Sequence, residues 1–212
     1  MNDGTVYDEN YYLYGKRSGK SLYDNYRWMP DRTLPMCQAI VNHCGIERNE
    51  SILDFGCARG YTVKALRMLG YNASGVDISE WAINNADEEA KPYLRWCEND
   101  LPLIRNAFDW IIAKDVLEHI EHIDHKIRHL MEIAGKGLFV VVPLTRHDWG
   151  RYIIDEYEQD VTHCQRWPLG TWVDMFLAPG WRVEAAYRMP GVKDNYAQHA
   201  TGNGFITARR VA

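Results

Sequence analysis

The chain has 212 residues, of which 46% are apolar and 25% charged, with a formal net charge of −5. That length and composition suit one globular domain with a substantial core. The acidic balance gives no basic footprint for nucleic acid, and no apolar run approaches the roughly 18 residues of a membrane span. The start, Met1 to Thr5, lacks the basic and apolar regions of a secretory leader. Five cysteines (Cys37, Cys44, Cys57, Cys97 and Cys164) form no C-x-x-C pair, which fits free thiols. These features lead us to expect a cytoplasmic protein without a nucleic-acid or membrane partner. They say nothing about oligomeric state.

Residues 1–29 are rich in tyrosine: Tyr7, Tyr11, Tyr12, Tyr14, Tyr23 and Tyr26, with Trp28 beside them and Lys16 to Lys20 among them. Pro30 to Cys44 reads as a helix with Leu34, Ile40 and Val41 on one side and Gly45 as its stop. From Ser51 the pattern alternates. Strands are expected at 51–56, 73–77, 93–97, 108–114 and 137–142, and helices at 60–70, 79–90 and 123–134, the last with Ile123, Ile127, Leu130, Met131 and Ala134 at helical spacing. Such alternation predicts an α/β protein with a doubly wound, mostly parallel sheet and right-handed crossovers. After Pro143 the regularity fails until about Trp167, and a loop of that length is usually functional. Leu169 to Leu177 then reads as a helix, and Trp181–Tyr187 and Phe205–Val211 as closing strands.

The segment Ser51-Ile-Leu-Asp-Phe-Gly-Cys-Ala-Arg-Gly60 is the most informative stretch. A short apolar strand ends in Asp54, Gly56 and Gly60 bracket a tight turn, and a helix follows with Val63, Leu66 and Leu69 on one side. Strand, glycine turn and helix open a nucleotide-binding βαβ unit. Gly75-Val-Asp77-Ile78 then places an acid where such folds hold a ribose diol. A dinucleotide site asks for G-x-G-x-x-G, whereas here Ala58 and Arg59 lie inside G-x-x-x-G. A ligand with an adenosine and a small charged group, but no phosphates, fits that turn better.

These residues, with Phe108-Asp-Trp-Ile-Ile-Ala-Lys-Asp-Val-Leu-Glu-His-Ile120, resemble the class I S-adenosylmethionine-dependent methyltransferases of the small-molecule type. The likeness is good over about residues 50–145 and loose elsewhere. Ala58 departs from it, since many members carry a second glycine there. The resemblance implies a Rossmann-like seven-stranded sheet whose last strand is antiparallel and lies beside strand five. It also implies S-adenosyl-L-methionine as cofactor. The division expected is one domain over 1–212: an N-terminal lid and helix (1–45), a cofactor-binding core (50–143), a substrate loop (144–168) and a closing helix and strands (169–212).

Cofactor binding is expected from Asp54, Gly56, Cys57, Gly60, Asp77, Ile78, Asp100, Leu101, Lys114 and Tyr14. Asp77 would accept both ribose hydroxyls and Ile78 would pack on the adenine. Glu98, Asn99 and Asp100 compete for the adenine amino group, with Asp100 preferred. Tyr11, Tyr12 and Tyr14, with Arg17 nearby, are candidates for the methionine carboxylate, although rings there could instead only pack the N-terminal segment onto the sheet. For a general base the candidates are His163, in the D-x-T-H of Asp160–His163, and His119. The competing role of Asp160 and His163 is to cap helix 166–177. Glu118, His119, His122, His125 and His129 have metal-like spacings. The E-H turn of the family accounts for the first two, however, and His122, His125 and His129 fall on the solvent side of their helix, so no metal is expected. The function expected is methyl transfer to a small-molecule acceptor, a sugar or natural-product hydroxyl. The rivals are a cofactor-binding module without turnover and an NAD-linked oxidoreductase on a similar fold.

Overall fold

In the computed structural model, residues 4–98, 101–102, 104–193 and 198–211 are described. Among these, seven strands form one sheet: β1 Ser51–Phe55, β2 Asn72–Asp77, β3 Leu94–Trp96, β4 Phe108–Lys114, β5 Ala134–Pro143, β6 Trp181–Ala186 and β7 Asn203–Arg210. The helices are α1 Glu9–Leu13, α2 Gly15–Ser18, α3 Pro30–Cys44, α4 Tyr61–Met68, α5 Glu80–Asn84, α6 Ile123–Ile133 and α7 Leu169–Asp174. The order across the sheet is β3-β2-β1-β4-β5-β7-β6. The first five positions are mutually parallel, and β7 runs antiparallel between β5 and β6. The chain winds outward from β1 to β3 and then returns to β4, so the switch point lies between β1 and β4.

Alternation along the central strands explains why both faces are covered. Ile52 and Ile112 join Phe139 on one face, under Ile40 and Val41 of α3 and Val63 and Leu66 of α4. Leu53 and Ile111, one residue out of phase, face Ile127 and Leu130 of α6 and Trp172 of α7 on the other. Pro30 opens α3 at its first turn, and Gly45 closes it in the left-handed region with φ 68°.

Several boundaries differ from those expected, each for a local reason. The helix expected over 79–90 ends at Asn84. The Asn85 backbone N–H (3.0 Å) and side-chain amide (2.8 Å) both donate to the Trp81 carbonyl, and Asp87 N then turns to Arg59 O at 3.1 Å. Lys91–Tyr93 is a separate 3-10 turn. The strand expected from 137 begins at Ala134, which pairs with Phe108 and removes the last residue of the helix expected over 123–134. The helix expected over 169–177 stops at Asp174, and that expected over 60–70 spans Tyr61–Met68. Between β5 and α7 only one short 3-10 segment, Asp155–Gln159, interrupts the long loop. That loop is stitched by Tyr152 Oη donating to Gln165 O at 2.7 Å and by Arg166 pairing with Glu158 at 2.7 Å. Among the described residues no helix is long and apolar enough to cross a membrane.

Candidate functional site

The carboxyl ends of β1, β2 and β4 open into a cavity of about 720 Å³. Its floor is the turn after β1. Gly56 has φ 77°, and a Cβ there would lie 2.4 Å from Val116 Cγ2, so only glycine lets the chain pass. Ala58 also sits in the left-handed region, at φ 48°, where a second glycine would be at ease. It is held there by Asp77, whose Oδ2 accepts from Ala58 N at 2.7 Å while Oδ1 accepts from Ser79 N at 2.7 Å. Asp77 therefore fixes the turn as well as facing the cavity. Ser79 in turn caps α5 through Ala82 N at 2.9 Å.

Two buried carboxyls give this floor its electrostatic character. Among the described residues Asp54 has one oxygen, Oδ2, without a hydrogen-bond partner, and burial followed by the nearby Asp77 charge pushes its pKa up to about 7. Burial also raises the Asp77 pKa, against the two backbone N–H groups that favour its ionised form. Ligand donors or a ligand cation would relieve both groups. The opposite wall is different. Asp115 follows β4 at φ 55°, between Lys114 and Lys193, with Lys193 Nζ at 2.6 Å from Oδ1. Burial opposes its ionisation, but the two lysines outweigh that and hold its carboxyl well below the usual range.

Asp54, Gly56, Cys57, Asp77, Ile78, Leu101, Lys114 and His119 all line this cavity. Asp100 falls outside the described residues. Gly60 is not on the lining. A Cβ there would press on Leu94 Cδ1 at 2.6 Å and Ala90 Cβ at 2.8 Å, and φ is 78°, so its glycine serves packing beneath the turn. Tyr14 is exposed and lies under the Arg17 guanidinium at 4.5 Å, away from the lining. Tyr11 and Tyr12 do border the cavity. The Tyr11 hydroxyl is already used, however, donating to Asp160 Oδ2 at 2.7 Å. Tyr12 stacks on Trp81, with ring centroids 5.5 Å apart.

His163 also lies off the lining. Its Nδ1 donates to the Tyr157 carbonyl at 2.9 Å, its Nε2 lies 4.0 Å from Glu118 Oε1, and its ring packs 4.6 Å from that of His119. Neither Asp160 nor His163 caps the following helix, whose N-cap is Pro168 without a side-chain bond. Asp160 Oδ1 instead accepts from the Thr162 hydroxyl, which meets His119 Nδ1 at 2.7 Å. Burial and the neighbouring His163 push the His119 pKa down to about 4, and burial lowers that of His163. His122 and His125 are exposed, but His129 is half-buried with Nε2 lacking a hydrogen-bond partner among the described residues, so these histidines are not all on the solvent side.

Phe55, Ala58, Tyr61 and Val116 also line the cavity, without having been expected there from the sequence. Phe55 and Val116 flank residues that were named, and a rule that the whole turn after a strand borders the ligand would have found them. The pairing of Asp115 with Lys193 had no signal, because 78 residues separate them.

The sequence profile of a methyltransferase-domain family matches residues 30–186. A ubiquinone biosynthesis O-methyltransferase of Rickettsia felis is 26% identical over 128 residues, covering 57% of this chain and 52% of the relative. The chain thus spans about half the length of the curated relatives it matches. Among solved structures, the [4+2]-cyclase SpnF superposes with a TM-score of 0.68 at 16% identity, covering 99% of this chain and 95% of the other. The plantazolicin methyltransferase BpumL, in complex with a substrate analogue and SAH, gives 0.62 at 13%, covering 86% and 85%. Identities this low show the fold alone, as the differing activities of these two neighbours, a cyclase and a methyltransferase, illustrate. The family profile covers well over half the chain, and the acidic floor with its unpartnered Asp54 oxygen suits a ligand carrying ribose hydroxyls and positive charge. The chain therefore belongs to the methyltransferase-domain family of class I Rossmann-like fold, with S-adenosylmethionine as its cofactor.

Proposed function

We propose that this protein methylates a hydroxyl of a small-molecule acceptor, a sugar or natural product, in the cytoplasm and without a nucleic-acid partner. The observation that carries this reading is the make-up of the cavity of about 720 Å³. Its floor is built from Asp54, Asp77 and the turn over 56–58, and the rest of its lining includes His119 and tyrosines of residues 4–29. Floor and wall suit two ligands side by side. The named activity of the relatives, an O-methyltransferase of ubiquinone biosynthesis, supports a hydroxyl acceptor.

In this reading Asp77 takes the ribose hydroxyls, and Asp54 with the turn holds the charged methionine end. S-adenosylmethionine supplies an electrophilic methyl. The acceptor oxygen forms the new C–O bond while the C–S bond breaks, its electron pair staying on sulfur. The hydroxyl proton, made strongly acidic by methylation, leaves toward the His119 wall. A histidine kept neutral by burial suffices for so acidic a proton, and holding the oxygen about 3 Å from the methyl supplies much of the rate. Residues 4–29 act as a lid, joined to the long loop by Tyr11–Asp160 and by Val161 N donating to Lys20 O at 3.2 Å.

The test is calorimetric titration with S-adenosylmethionine and with NAD, followed by turnover to S-adenosylhomocysteine over a panel of phenols, sugars and hydroxylated metabolites. Binding of the first nucleotide only, with a methyl ether as product, is expected. Binding of NAD, or cofactor binding without product from any hydroxyl, overturns the reading.

A further inference from the structure

Behind the His119 wall, three side chains converge that the reading above leaves without a shared task. Glu118, His119 and His163 each offer one ligand atom, and these atoms all lie within 4.8 Å of one another. Glu118 and His119 come from the 3-10 turn Leu117–His119 after β4, and His163 comes from the long loop, 45 and 44 residues onward. The Glu118 and His163 side chains are only 2% and 7% exposed. Glu118 Oε2 is buried without a hydrogen-bond partner among the described residues, a costly arrangement for a polar atom in a protein interior.

The hydrogen bonds around the cluster orient it. His163 Nδ1 faces a backbone carbonyl and so must carry the proton, which leaves the lone pair on Nε2, the atom 4.0 Å from Glu118 Oε1. The Thr162 hydroxyl gives its hydrogen to Asp160 and so receives that of His119 Nδ1, leaving His119 Nε2 with its lone pair. A carbonyl behind one imidazole, and a carboxylate-backed hydroxyl behind the other, is the outer arrangement that metal-binding histidines have. A structural ion pair would need a protonated imidazole beside Glu118, and at 4.0 Å the contact is long for one.

We propose that Glu118, His119 and His163 bind a divalent transition-metal ion of the zinc type. Two imidazoles and one carboxylate suit zinc, iron or manganese, and they leave coordination positions open. His119 places the ion at the inner wall of the cavity. The proposal rests on the function argued above and deepens it: with its lone pair on the ion, His119 positions the ion against the acceptor, and the proton acidified by the ion leaves to solvent instead of to the imidazole. Such an ion supplies Lewis-acid binding of a hydroxyl oxygen and lowers its pKa. The acceptors favoured are accordingly hydroxyls that chelate, such as vicinal diols and catechols.

The test uses the full-length chain, stripped with a chelator and dialysed, without cofactor or acceptor. Zn²⁺ is titrated calorimetrically, metal content is counted by mass spectrometry, and Co²⁺ loading is followed in the visible spectrum. One Zn²⁺ per chain is expected, and Co²⁺ loaded into the stripped chain should show d–d bands typical of nitrogen and oxygen ligation that Zn²⁺ then bleaches by displacing it. Glu118→Gln and His163→Ala should each lower Zn²⁺ affinity at least about 100-fold, and Asp160→Asn, which reaches the site through Thr162 and also perturbs the Tyr11 contact, about 10–100-fold. His125→Ala on the surface of α6 should change nothing. No stoichiometric uptake by the wild-type chain overturns the proposal. So does uptake that survives Glu118→Gln but falls with His125→Ala. If His163→Ala fails to fold, Glu118→Gln, which is isosteric, decides alone. Zinc uptake without S-adenosylmethionine binding would leave the metal site standing and remove the methyl-transfer reading instead.

Discussion

Replacing Asp77 by Asn tests the floor of the site with a change of almost no volume. The carboxylate now receives two backbone N–H groups, from Ala58 and Ser79, each at 2.7 Å. An asparagine can accept one of them. Its amide nitrogen then faces the other donor, which is left buried and unpaired at a cost of about 1–3 kcal/mol. Asp77→Ala orphans both donors and should cost about twice as much. The gain from the pair is already partly offset, since burial raises the Asp77 pKa despite both bonds. For that reason we place the Asn effect toward the lower end of the range. Cofactor binding loses a further charge-assisted hydroxyl contact, about 1.5–3 kcal/mol, or roughly 10- to 150-fold in affinity. Urea denaturation of the cofactor-free protein reads the first quantity, and calorimetry at a temperature where the variant is fully folded reads the second. An Asn variant with the wild-type denaturation midpoint would show that Asp77 does not hold the turn. One with normal affinity would remove it from the ribose site.

Three further outcomes follow from the same geometry. Gly60→Val should destabilise the fold by about 2–6 kcal/mol, combining a β-branched residue at φ 78° with overpacking against Leu94 and Ala90; a urea midpoint within experimental error of the wild type would refute the packing role. Asp54, with its pKa raised to about 7, binds its proton more tightly folded than unfolded, so its contribution to stability falls as pH rises from about 4 to 7. Asp54→Asn should therefore match the wild type near pH 4 and be more stable at pH 8, by up to about 4 kcal/mol, and parallel stability–pH curves for the two proteins would contradict this. Tyr11→Phe leaves Asp160 Oδ2 without its 2.7 Å donor, at about 1–3 kcal/mol, and should free the N-terminal segment locally. Hydrogen exchange of residues 4–28 should quicken while that of β4 and β5 stays protected; equal protection in both regions would refute the tether.

What the sequence alone determined is what short-range patterns can encode. Short apolar runs in Ile52–Phe55 and Phe108–Lys114, helical spacing in Ile123–Met131, and the glycine spacing after β1 each act within a few residues, and they located β1, β4, α6 and the turn at the floor of the cavity. Asp54, Gly56, Asp77 and Lys114 were legible for the same reason, because they sit at strand ends that local pattern marks, and strand ends in a doubly wound sheet border one crevice. The shortened α5 was not legible. Its end is set by Asn85 folding back on Trp81 and by Asp87 reaching Arg59, and neither contact has a periodic signature. The groups of the far wall depended wholly on tertiary structure. Tyr11 meets Asp160 across 149 residues, Lys193 meets Asp115 across 78, and Thr162 meets His119 across 43. The placement of His163 beside Glu118 belongs with them, since a loop without periodicity can be positioned only by the long-range bonds and packing that form once the sheet is assembled.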